Sequence, residues 1–181
     1  GLHFSAGSTQ FKTEGIRVVQ GKKEIPLSTP VTEISTPSLL RLDYGKVQEE
    51  YRFEPRRVEQ LFYIDDPLGS GALTIATRLD TGLYGPVIEV PAGQSGWVDP
   101  RMEKGGLWFC DESGKEQIAY YGAMAIDAAG RTIDLEPTYE SGEILLTVPA
   151  PYMANVVYPL VVDPWIQSAS SGEGGGVSYS V

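Results

Sequence analysis

Apolar and polar positions alternate in short runs along this chain, and Gly or Pro interrupts each run before a helical period can develop. Gly15-Ile16-Arg17-Val18-Val19 and Leu39-Leu40-Arg41-Leu42-Asp43-Tyr44 read as strands with one wet face, joined by a Pro- and Thr-rich connection at residues 26–37. Arg57 to Ile64 alternates through Val58 and then turns apolar, ending at Asp65-Asp66-Pro67 with Gly69 and Gly71 close behind. The pattern predicts a strand, a turn and a hairpin return through residues 72–79.

Breakers are densest from Gly82 to Gly106, a stretch that reads as a long surface loop or as the seam of a two-lobed unit. Beyond it a local form recurs: Asp111-Glu112-Ser113-Gly114-Lys115 and Asp127-Ala128-Ala129-Gly130-Arg131 are both Asp-x-x-Gly-basic. Asp opens a type I turn through local hydrogen bonds, and Gly takes the left-handed position three residues later, so each copy reverses a hairpin. The apolar runs around these turns, at 117–126, 132–135 and 144–148, make a meander that closes on a strand at 157–162. An all-β, antiparallel β-sandwich with very little helix follows, one lobe or two.

The run Val156 to Val162 meets Asp163-Pro164, and Pro cannot donate to a ladder, so a last strand with a hard stop is expected there. The expected organisation is a sandwich over 1–166, a Gly/Ser-rich linker over 167–176, and a strand at 177–181 leading into a following module. Val177, Tyr179 and Val181 alternate with Ser178 and Ser180, the period of a half-buried strand able to pair with an exposed edge. Its partners would be adjacent modules or neighbouring copies.

Composition narrows the function. With 181 residues, 41% of them hydrophobic, the chain can fill a core. A net charge of −10 repels phosphate backbones and anionic lipid, which argues against nucleic-acid and membrane-surface partners, and no apolar stretch is long enough to be a spanning helix. One Cys and one His cannot supply a zinc, copper or haem site. Cys110 lies in an apolar run and reads as a small buried hydrophobe, and His3 is the only candidate base for a nucleophile. No catalytic residue and no cofactor is therefore assigned. Calcium at the Asp111 or Asp127 turns lacks the alternating ligands and distal Glu of a calcium loop.

Two kinds of residue still point to a ligand. Asp65, Asp66, Glu103, Asp111 and Glu112 are carboxylates on predicted loops, the inventory of a glycosidase pair if two of them meet. Trp97 lies in the breaker-rich loop, where it either stacks on a sugar ring of a cell-surface glycan or anchors the loop as a core residue; Trp108 reads as core, and Trp165 as packing back on the sheet.

The segments "RVEQLFYIDDPLGSGALTI", "GGLWFCDESGKEQIAYYGAMAIDAAGRTIDLE" and "ILLTVPAPYMANVVYPLVVDPWIQ" resemble the region found ahead of β-propeller-type repeat arrays in large secreted and cell-surface proteins of bacteria. The matching positions are Glu59 and Gln60, then Asp127, Ala128, Gly130 and Arg131, then Tyr158, Pro159, Leu160, Asp163 and Pro164. The resemblance covers residues 57–166 and implies an extracellular module with an accessory or structural role. It carries over no catalytic residue. It also implies that Asp163-Pro164 closes a module and that the serine- and glycine-rich stretch leads into a repeat.

Overall fold

The structure, a computed structural model, describes residues 2–6, 9–55, 57–87, 105–168 and 178–180. Among them are sixteen strands and one four-residue helix, arranged as two antiparallel sheets. The smaller sheet runs β13 (Thr138–Glu140), β14 (Glu143–Val148), β8 (Leu73–Thr81), β2 (Thr9–Gln20), β1 (His3–Ala6), β16 (Ser178–Ser180), with β3 (Lys23–Ile25) also on β2. The larger runs β4 (Val31–Thr36), β5 (Leu39–Asp43), β6 (Gln48–Phe53), β7 (Arg57–Ile64), β15 (Leu160–Ser168), β11 (Glu116–Asp127), β10 (Gly106–Cys110), β9 (Tyr84–Val87), with β12 (Thr132–Asp134) on β11.

Alternation decides which side chains meet between the sheets. Val18, Leu73, Ile75 and Leu146 from the smaller sheet join Leu40, Tyr51, Phe62, Ile118 and Val162 from the larger in one buried cluster. The antiparallel β-sandwich expected from the breaker pattern is thus the architecture, and among the described residues helix is confined to α1 (Ala150–Met153). Strands from either side of residues 82–106 share both sheets: β8 pairs with β14 and β7 with β15. Residues 88–104 themselves lie outside the described residues.

Several local expectations need correction. β7 and β8 are not a hairpin; β7 pairs with β6 and β15, β8 with β2 and β14, in different sheets. The connection at 65–72 is longer than the two to five residues that favour a hairpin, so it carries the chain from one layer to the other. Residues 31–36, within the connection expected at 26–37, form β4, an edge strand that needs no apolar face. The last strand does not stop at Asp163-Pro164. It begins at Leu160, because the Val157 backbone is engaged with the Asp127 turn, and runs on through Gln167 to Ser168.

Pro164 is tolerated inside β15 for a visible reason. On the β7 side the register passes from Val162↔Phe62 to Trp165↔Glu59, and on the β11 side from Asp163↔Met124 to Trp165↔Tyr121. Gly122, at φ 64°, and Ala123 bulge opposite it. A bulge leaves ladder groups unpaired, and there a missing N–H is harmless. The end of the chain, expected to be strand-like, contains β16, which pairs with β1 of the same chain; Val177 and Val181 lie outside the described residues.

Candidate functional site

Strand β6 places two adjacent acids on opposite faces of the larger sheet, and both are buried: Glu49 and Glu50 are each 1% exposed. Glu49 points between the sheets, paired with Leu42 of β5 and Phe62 of β7 and in phase with Tyr51, all three members of the core cluster. Its Oε1 accepts from the Tyr51 hydroxyl at 2.6 Å and the Gln60 amide at 2.8 Å, and its Oε2 from the Tyr44 hydroxyl at 3.0 Å. Gln60 accepts in turn from the Tyr120 hydroxyl at 3.0 Å. Thr13 of β2 reaches the Tyr51 hydroxyl at 3.0 Å and accepts from the Leu2 amide at 2.9 Å, so the network joins the two sheets. Burial raises the Glu49 pKa above the usual carboxylate range, against the opposing pull of hydrogen bonds from Tyr51, Gln60 and Tyr44. Burial likewise raises Tyr51 and Tyr120 well above the usual phenol.

Glu50 faces outward into a charged ladder. Arg41 donates to it through Nε at 2.7 Å and also through Nη2, and Arg52 Nε lies 2.7 Å from its other oxygen. Arg52 continues to Glu59 at 3.1 Å and to the Tyr63 hydroxyl at 3.0 Å. Tyr63 also lines a cleft of about 310 Å³, together with Asp43, Lys46 and Gln48 of the β5–β6 end and Asp65, Asp66 and Leu68 of the β7–β8 connection.

Of the loop carboxylates, the structure brings Asp65 and Asp66 together with Asp43 in this cleft. Asp111 and Glu112 lie at the other end of the larger sheet, since Ile64 pairs with Leu160 while Arg57 and Ile118 flank the far end of β15. Eight residue steps along β15 separate the two ends by ~26 Å, too far for a glycosidase pair, whose carboxyl groups stand about 5–10 Å apart. Glu103 and Trp97 lie outside the described residues.

The two Asp-x-x-Gly turns share one geometry. Gly114 and Gly130 donate to Asp111 and Asp127 carbonyls at 2.9 Å, with φ of 79° and 76°. The Asp111 carboxylate accepts from Ser113, Lys115 and Gln117, which hold its pKa below the ordinary value, the Ser113 hydroxyl most of all. Asp127 accepts from the Ala129, Arg131 and Val157 amides and the Arg131 guanidinium. Burial pulls its pKa up, but these donors outweigh it and bring it to about 2. The carboxylates at both turns therefore serve the turns. Among the described residues no group of three or more His, Cys, Asp or Glu side chains converges as a metal site would.

Trp108, Ala119, Tyr121 and Trp165 form a second buried cluster, separate from the main core. They sit on β10, β11 and β15 in the register Trp108↔Ala119 and Tyr121↔Trp165, with the Arg57 guanidinium 4.2 Å above the Trp165 ring. Cys110 is buried, and burial raises its thiol pKa. His3 lies in β1 opposite Lys12.

Sequence reasoning missed the Glu49 network. The available signal was the alternation of Gln48 to Phe53, which puts Glu49 in phase with Tyr51 and so on the inward face. No protein-family model matches this chain, and no curated protein matches it.

Proposed function

We propose that this chain is a non-catalytic structural or adhesive β module of a larger extracellular or cell-surface bacterial protein. The observation that carries the reading is the use made of its polar side chains. Glu49, Tyr51, Gln60 and Tyr120 tie strands together across the core, and Asp111 and Asp127 hold turns. Such investment in rigidity suits a framework that presents loops and sheet edges to neighbours. The order of motifs over residues 57–166 supports the surface location and the company of further modules. Antibody labelling of intact cells carrying the parent protein tests the location; label that enters only after lysis opposes it. A polysaccharide panel tests the rest, because turnover lost in Asp66→Asn would replace the module with a glycosidase.

The cleft favours a second reading, a carbohydrate-binding module. Tyr63 offers an aromatic ring beside Gln48, Lys46, Asp43, Asp65 and Asp66, side chains that hydrogen-bond hydroxyl groups. A glycan array separates the two readings. Specific sugar binding abolished by Tyr63→Ala, or by Trp97→Ala, favours the second.

A further inference from the structure

We propose that the edge of β1 is an acceptor for β16 of a second copy of this chain, so that crowded copies link by exchanging that strand. Among the described strands β16 pairs with β1 and no other, in the register His3↔Ser180, Phe4↔Tyr179, Ser5↔Ser178. It belongs to the smaller sheet, whereas β15, the strand before it, belongs to the larger. Residues 169–177, Ala-Ser-Ser-Gly-Glu-Gly-Gly-Gly-Val, join them and have the composition of a flexible linker.

The other sheet edges carry devices that discourage pairing with a neighbour. β4 is broken by a register shift at Glu33, β9 contains Pro86, and β13 is a three-residue strand ending in Glu140. β1 and β16 carry no carboxylate, Lys or Pro, and their register is unbroken. In a chain of net charge −10, an edge free of carboxylates is where two copies approach with least repulsion. Exchange replaces the same backbone hydrogen bonds one for one, so only the linker decides between the chain's own strand and its neighbour's. A short flexible linker gives an effective concentration on the order of millimolar; dilute chains keep their own strand, and copies packed to that density exchange.

The inference stands on the β1–β16 ladder and not on the surface location, so its failure leaves the module reading untouched. The 181-residue chain carrying Tyr179→Pro, isotopically labelled, is titrated with a synthetic peptide of residues 174–181 and followed by amide shifts. The expected result is perturbation at His3 to Ser5 with a Kd on the order of 0.1 mM, about tenfold below the effective concentration of the tethered strand, absent for a peptide carrying the same Pro. The intact chain, its acceptor filled, should respond at least about tenfold more weakly. No shift at ~10 mM peptide, or equal shifts with intact chain or with the Pro peptide, overturns the proposal. If Tyr179→Pro disturbs the rest of the spectrum, a chain with residues 177–181 replaced by Gly and Ser takes its place. Sedimentation gives the second readout: intact chain at ~2 mM forms dimers that Tyr179→Pro abolishes, and a monomer throughout is the contrary result.

Discussion

Glu49 keeps its carboxyl out of water among three donors, and its pKa is raised mainly by that burial. Below the unfolded pKa both states are protonated and nothing is lost. As pH rises past it the unfolded chain ionises first, so stability falls by about 1.4 kcal/mol per pH unit until the folded pKa is reached. Denaturant midpoints from pH 4 to 8 should show this decline, and Glu49→Gln should flatten it; an unchanged slope in the variant would refute the assignment. Glu49→Ala, which leaves Tyr44, Tyr51 and Gln60 short of an acceptor, should cost on the order of 3 kcal/mol. Asp127 has the opposite sign. With a folded pKa of about 2, its contribution is complete above the unfolded pKa and is lost as pH falls from about 4 toward 2. Asp127→Ala should therefore lower the melting temperature at pH 7 and lose most of that deficit at pH 2. Asp127 was legible in the sequence because its partners lie within four residues, apart from Val157. Glu49 was not, because its donors come from β6, β7 and the β5–β6 connection, and only their convergence makes a buried acid tolerable.

β15 shows how an element outruns its punctuation. Pro164 looked like a stop, yet the strand passes through it because β11 bulges at Gly122-Ala123 where the Pro N–H is missing. Hydrogen exchange should find the amides of Trp165, Ile166 and Gln167 at least about 100-fold slower than unstructured peptide; fast exchange would mean that the strand ends where the sequence suggested. Pro164→Ala should gain nothing from a restored N–H and should lose about 0.5 kcal/mol through a freer unfolded chain. The hairpins β10–β11 and β11–β12 were readable because a turn and its two strands are contiguous in sequence. The partnership of β2 with β8, or of β7 with β15, was not, since strands buried on their inner faces have many acceptable neighbours and the choice is made by the whole core.

At the scale of the molecule, one core draws on both sheets and on strands far apart in sequence, which makes the antiparallel β-sandwich slow to assemble. Pairs such as β1–β16 and β7–β15 close long loops before they stabilise anything, so refolding should take milliseconds to seconds. Stopped-flow fluorescence checks this through Trp108 and Trp165, and submillisecond recovery would contradict it. The adjacency of β1 and β16 has a mechanical meaning as well. They run antiparallel with His3 opposite Ser180, so tension applied at those two residues pulls on the ladder in the peeling direction and breaks its pairs one after another. With β16 peeled away, twelve residues, 169 to 180, stand between the point of load and Ser168, a reach of ~40 Å at full extension, before the body of the larger sheet is loaded. Single-molecule stretching between positions 3 and 180 should therefore record an early, low-force extension of that length, well separated from the rupture of the sandwich. Under load the strand acts as a shock absorber.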